Sequence, residues 1–247
     1  MGTRSPQWVG QLGLAPGTVF YSGPGGRAEP HHHLAVQLVR THTNPFVVTL
    51  GQQRIEAGAA LIPSGVRHSF ESDSPIDLVL VEPEGAVGSR LQELAVRLNG
   101  QDLSGRIPAG SVDPARVIEC LSPDDPDPVR TPATRSPAVG AAVEYIEHTL
   151  DGRPKLEEAA ANAHISSSRL THLFTAEIGI PFRSYVLWAR LRRVVLLVGE
   201  GDNLTRAAHG AGFSDSAHLS RVFRGHFGLS PSALLQMELS GDWLSPA

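Results

Sequence analysis

The chain has 247 residues, of which 41% are hydrophobic and 19% charged, and its formal net charge is −4. That length suits one large or two ordinary domains, and the composition excludes wholesale disorder. Cys120, the single cysteine, excludes an internal disulfide and a Cys-x-x-Cys redox pair. With no apolar run near the ~18 residues of a membrane span and no apolar signal core, the expectation is a cytoplasmic protein without a membrane partner.

Residues 1–83 are rich in glycine, proline and short β-branched runs. Val19–Tyr21, Leu34–Arg40, Phe46–Leu50, Ala60–Ile62, His68–Glu71 and Ile76–Val81 read as strands between turn signals such as Asn44-Pro45 and Pro63-Ser64-Gly65. Short strands at this spacing, with no helical pattern between them, predict a sandwich or small barrel. Residues 84–136 form a connecting region. Within it Leu91, Leu94, Ala95 and Leu98 recur at helical spacing, so Val87–Leu98 is an amphipathic helix. Its apolar stripe calls for a partner, either its own β domain or a second subunit in a homodimer. The stretch from Asn99 to Pro137, ending SPDDPDPVRTPATRSP, reads as an extended linker.

Residues 137–240 look helical and contain an internal repeat. Leu156, Ala159, Ala160, Ala163, Ile165 and Ser166 reappear 48 residues later as Leu204, Ala207, Ala208, Ala211, Phe213 and Ser214. The offset then becomes 49, matching Leu170, Leu173, Phe174 and Gly179 to Leu219, Val222, Phe223 and Gly228. Each copy reads as a short helix with small inner residues, a tight turn, a serine N-cap and a longer amphipathic helix ending at glycine. Small alanines let two helices cross closely, as a helix-turn-helix requires. Between the copies, Phe182–Val198 is predicted as one helix spanning ~25 Å, suited to hold two recognition helices about one DNA turn apart. Residues 152–228 carry ten Lys/Arg against six Asp/Glu, so this part is positive in a negative chain. That permits phosphate binding without requiring it.

The stretch GFSDSAHLSRVFRGHFGLSPSALLQ closely resembles the signature of AraC-type (AraC/XylS) transcriptional regulators, and the repeat with its linking helix resembles their tandem DNA-binding domain over about Ala138–Gln236. The resemblance implies that Ser166–Ile178 and Ser214–Phe227 enter adjacent major grooves of double-stranded promoter DNA. It assigns Ser168, Thr171 and His172 to the base-reading face of the first helix, and Ala217, His218 and Arg221 to the second. Arg221 has the best chemistry for this, since a guanidinium can grip guanine O6 and N7 together. RNA polymerase is an implied partner for an activator. The sequence departs from the family at His164, where the second copy has Gly212, at Leu219, and at Leu234-Leu235 in place of Tyr-Arg.

A second pattern lies in residues 25–70. Gly25, His31, His33 and Gln37, with Pro63, Gly65 and His68 later, resemble the two cupin motifs, glutamine standing for the usual acid. The fold class expected is therefore α+β in two domains: a cupin-like β-barrel that senses an effector, and an all-α tandem helix-turn-helix domain. Strand parity would put His31, His33 and Gln37 on one face and His32 on the other. If His68 joins them, three imidazoles and an amide suit a divalent metal; a metal-free effector pocket or a scaffold role is the alternative. No other cofactor is called for. The expected function is a one-component bacterial transcription regulator, not an enzyme, controlled by a small molecule or metal. The alternative is a metal-dependent cupin enzyme, of dioxygenase or isomerase type, fused to a DNA-binding domain.

Overall fold

The structure is a computed structural model that describes residues 8–15, 17–83, 85–98, 100–108, 112–125, 136–178 and 180–239. Contacts divide the chain into two compact units, Met1–Arg130 with Phe223–Ala247, and Thr131–Val222.

The first unit opens with nine strands: β1 (Gln11–Ala15), β2 (Thr18–Pro24), β3 (Arg27–His31), β4 (Val36–Thr41), β5 (Phe46–Leu50), β6 (Gln53–Ala57), β7 (Ala59–Ile62), β8 (His68–Glu71) and β9 (Pro75–Val81). A two-residue strand, β10 (Glu238–Leu239), pairs in parallel with β1. One sheet has the order β10-β1-β2-β9-β4-β7 and the other β3-β8-β5-β6. Among the described residues no ladder joins the two, so the expected barrel is replaced by two separate sheets, antiparallel apart from the β1–β10 pair. The β2–β9 ladder ends where Pro24 faces Pro75. Neither proline has an N–H to carry the pairing further.

Sequence reading missed β1, β3, β6 and β10. The pair β5–β6 is a hairpin whose ladder closes at Leu50 and Gln53, leaving Gly51 and Gln52 as a two-residue loop. Gly51 sits at φ 61°, in the left-handed region that such tight hairpin turns favour. The Gln-Arg-Ile-Glu-Ala sequence of β6 has a polar outer face, which concealed it as a strand.

Strand β4 is buried along nearly its whole length because both of its faces are covered. Val36 and Leu38 share a core with Ala59, Leu61, Val79 and Val81, and this core is capped by α1 (Gly85–Arg97) and α2 (Pro114–Leu121). Leu91, Leu94, Ala95 and Leu98 are all buried in it. The stripe expected to find a partner therefore finds it within its own unit, and it is not the free dimer face considered from sequence. The expected linker is also corrected in part. Leu103, Ile107, Val117, Ile118 and Leu121 are core residues. Arg40 Nη1 donates to the carbonyls of Ile107 (2.8 Å) and Pro108 (2.7 Å), and Arg90 Nη2 pairs with Asp125 at 2.8 Å. The rest of the expected linker, 126–135, lies outside the described residues.

The second unit is helical: α3 (Pro137–His148), α4 (Leu156–Asn162), α5 (Ser167–Ile178), α6 (Phe182–Gly199), α7 (Leu204–Gly210) and α8 (Ser216–Phe227), the unit boundary falling within α8. Ser136 and Pro137 start α3 as N-cap and first helical residue, the hydroxyl accepting from Val139 N. Phe174 packs its ring on Phe182 and Tyr185, both at 5.5 Å, which seats α5 on α6.

Candidate nucleic-acid interface and histidine site

The repeat read from sequence becomes two matched helix pairs, α4–α5 and α7–α8. Ala159, Ala160, Ala207 and Ala208 are buried at the crossings. His164 and Gly212, equivalent in the repeat, both adopt positive φ, 55° and 79° respectively. The turn between the helices demands a left-handed residue, and the first copy meets that demand with histidine at a local cost of ~1–2 kcal/mol. At Gly212 a side chain is also excluded by space, since a Cβ would collide with the Leu150 carbonyl.

The change of repeat offset has a structural cause. In the first copy Ser166 caps α5, its Oγ accepting from Arg169 N at 3.2 Å. In the second copy the cap is Asp215, whose Oδ1 accepts from His218 N at 2.6 Å. Ser214, expected as the cap, stands one residue too early. The second turn is thus one residue longer, and every position after it matches at 49 instead of 48.

Leu170 and Phe174 are fully buried on α5, and Leu219 on α8. The opposite faces carry the residues singled out for DNA. Ser168, Thr171, His172, Ala217 and Arg221 are exposed. His218 differs: it is half-buried, with its ring edge-on to Phe213 at 5.3 Å and its Nδ1 3.2 Å from Ser214 Oγ.

The Helix-turn-helix domain family matches residues 159–237. Transcriptional activator RhrA of Rhizobium meliloti is 28% identical over 113 residues, 44% of this chain and 35% of RhrA. The arabinose operon regulatory protein of Escherichia coli is 32% identical over 96 residues, 38% of this chain and 33% of that protein. The helical region matches a helix-turn-helix domain and is similar in sequence to the corresponding parts of these regulators. Its matches span about a third of each of these relatives. Over a longer stretch the likeness is of fold alone: ToxT from Vibrio cholerae superposes with a TM-score of 0.54 at 11% identity, covering 89% of this chain and 96% of ToxT. Both the β-rich part and the helical part thus have a counterpart in the fold of one solved structure.

In the β unit, the histidines expected to share one strand face come from different elements. His31 ends β3, His33 lies in the connection after it, and Gln37 is on β4. They converge nonetheless, because His31 pairs with His68 across the β3–β8 ladder and Gln37 turns away from the helix-covered face of β4. His31, His33 and His68 are buried and can each offer a ring nitrogen, these atoms lying within 4.8 Å of one another. His32 alternates outward and is exposed.

The Nδ1 atoms are all engaged by main-chain carbonyls: His31 with Glu29 O at 2.7 Å, His33 with Ala35 O at 2.8 Å, and His68 with Val66 O at 2.9 Å. A carbonyl can only accept, so each Nδ1 carries the proton and each Nε2 is left with a lone pair. The Gln37 amide lies 2.8 Å from His33 Nε2 and 3.3 Å from His68 Nε2; in the metal-free protein only its NH2 can donate to those lone pairs, and a flip of the amide presents the oxygen to a bound cation. Burial is the main force pushing His33 down to about 3, and the neighbouring His68 adds to it. Burial likewise lowers His31 and His68 to about 4, reinforced by His33 and His31 respectively. The result is a buried cluster of neutral imidazoles whose tautomer is set by the backbone, as metal-binding histidines require. Sequence showed the four side chains but not the carbonyls that orient them, since a carbonyl belongs to every residue.

Proposed function

We propose that the protein is a one-component transcription regulator that binds promoter DNA through α5 and α8 and responds to an effector held by the β unit. The observation that carries this reading is the match to a helix-turn-helix domain whose two longer helices expose Ser168, Thr171 and His172 on one and Ala217 and Arg221 on the other, with the half-buried His218 beside them. The matched relatives named above are described as regulators, and nothing favours the enzyme alternative. No helix among the described residues is long and apolar enough to cross a membrane.

Arg221 reads a guanine in this proposal. Arg221→Ala is expected to cost ~1–3 kcal/mol on the selected site and to relax preference at one base position. Binding-site selection with the variant and the unaltered chain measures both. Equal loss on every sequence would make Arg221 a phosphate contact instead.

The effector class follows from the histidine cluster. Three backbone-oriented Nε2 lone pairs with a neutral amide oxygen form a donor set for a borderline divalent ion such as zinc or nickel. His31, His33 and His68 would hold it, with Gln37 as an optional fourth donor. Zinc is expected to bind in about one equivalent by calorimetry and to raise the unfolding temperature of the chain, and His68→Ala is expected to remove both effects. Elemental analysis below about a tenth of an equivalent, with no calorimetric binding of zinc, nickel or iron, would eliminate the metal and leave a small-molecule effector. A homodimer belongs to the same proposal, as does contact with RNA polymerase where the regulator activates.

A further inference from the structure

A cleft of about 630 Å³ opens in the second unit beside the turn of the second helix-turn-helix, lined by Arg153, Arg190, His209, Ser214 and His218, with Asp151 the one carboxylate in its lining. Arg190 projects from α6 and is anchored there, its Nη2 donating to Gly152 O at 2.7 Å. Its guanidinium is packed so tightly against the turn that a Cβ on Gly212 would stand 3.0 Å from both Nε and Nη2. The buried Nε has no hydrogen-bond partner. Arg190 and Arg153 lie close enough to repel: burial, then the Arg153 charge, lowers the proton affinity of Arg190. Neither guanidinium forms an ion pair with a carboxylate among the described residues, although Arg192 on the same helix pairs with Glu147 at 2.7 Å.

Holding two like charges together without a counter-ion is unfavourable unless something else supplies the negative charge. The cleft lies at the entrance to α8, and helix N-termini are among the protein groups that contact phosphates, contacts that fix a protein's register on the duplex without carrying sequence information. His218, turned towards this cleft by Phe213 and Ser214, adds a ring that is available to a phosphate and is withdrawn from the outer face.

The geometry points to a phosphate-binding cleft, in which Arg153 and Arg190, assisted by His218, clamp one backbone phosphate of DNA bound by α8. The clamp sets the register of the second recognition helix and carries no base preference. This inference rests on the proposed DNA binding. It moves His218 from base reading to phosphate holding.

The test uses the full chain and a duplex that it enriches from a random library, with affinity measured over a series of potassium chloride concentrations. Arg153→Ala, an exposed substitution, is expected to weaken binding roughly tenfold on selected and unselected duplexes alike and to reduce the slope of log affinity against log salt by about one. Arg190→Gln is expected to do the same, with thermal unfolding as the check that it folds; Arg153→Ala suffices where it does not. An unchanged salt slope for Arg153→Ala, with the unaltered chain still binding its duplex, would overturn the inference and leave the DNA-binding reading standing. A loss confined to particular base sequences would also overturn it. So would inorganic phosphate shifting the His209 and His218 NMR signals with no effect of Arg153→Ala on DNA, since the cleft would then serve a free anion. Failure of the unaltered chain to enrich any duplex would overturn both.

Discussion

Leu91→Asp combined with Leu94→Asp is expected to unfold the β unit and not to release folded monomers. Leu91 is 0% exposed and Leu94 1%, and both lie in the core formed with Val36, Leu38, Val79, Ile118 and their neighbours. Truncating a buried leucine costs ~2–5 kcal/mol before any charge is considered. Placing a carboxylate there adds the expense of desolvating it among apolar side chains. Two such changes exceed the ~5–15 kcal/mol by which a domain is usually stable. Near-ultraviolet circular dichroism and thermal unfolding should show loss of the β unit's cooperative transition. Val96→Asp is the control, since Val96 on the same helix is 61% exposed; its expected effect is within about 0.5 kcal/mol. A folded double variant would mean that α1 does not depend on this core.

The second large effect is on the stability of the metal-free protein in mild acid. His31, His33 and His68 are held at about 4, 3 and 4 in the folded state, against an ordinary value of ~6.5 in an unfolded chain. Above pH ~6.5 both states are neutral at these positions, and the histidines add no pH dependence. Below it the unfolded chain takes up protons that the folded chain refuses. Stability therefore falls as pH drops from ~6.5 towards ~4 and levels off below ~3, where the folded state protonates as well. At pH ~5 each histidine accounts for ~2 kcal/mol, about 6 kcal/mol for the three. Urea unfolding at a series of pH values measures this, and the slope near pH ~5 should correspond to the uptake of about three protons. Stability that stays constant from pH ~7 to ~5 would contradict the burial of the cluster.

Much of the helical part was legible in the sequence, and for a local reason. Helix periodicity, alanines at crossings, a residue of positive φ between two helices and a polar cap are written within a few dozen residues, and the repeat writes them twice. Even the shift from an offset of 48 to 49 was visible before its cause, the move of the cap from Ser166 to Asp215, was known. The strands Phe46–Leu50 and His68–Glu71 were likewise readable to the residue, because each is bounded by its own turn signals.

What only the tertiary structure decided was non-local. The amphipathic stripe of α1 states that a partner is needed but not which one, and packing on β4, β7 and β9 settled it inside the same unit. Leu103, Ile107, Val117 and Ile118 looked like a linker because a proline- and aspartate-rich neighbourhood hides four apolar side chains that matter only once a sheet face is available to cover. The histidine motif announced its residues, yet the face they share was not that of one strand. It was assembled from the end of β3, the following connection, β4 and β8, by ladder register and by three main-chain carbonyls. The sequence by itself therefore determined which side chains are present and which helices the repeat forms. Strand pairing decided which of those side chains meet, since hydrogen bonds between strands join residues whose separation along the chain carries no pattern to read.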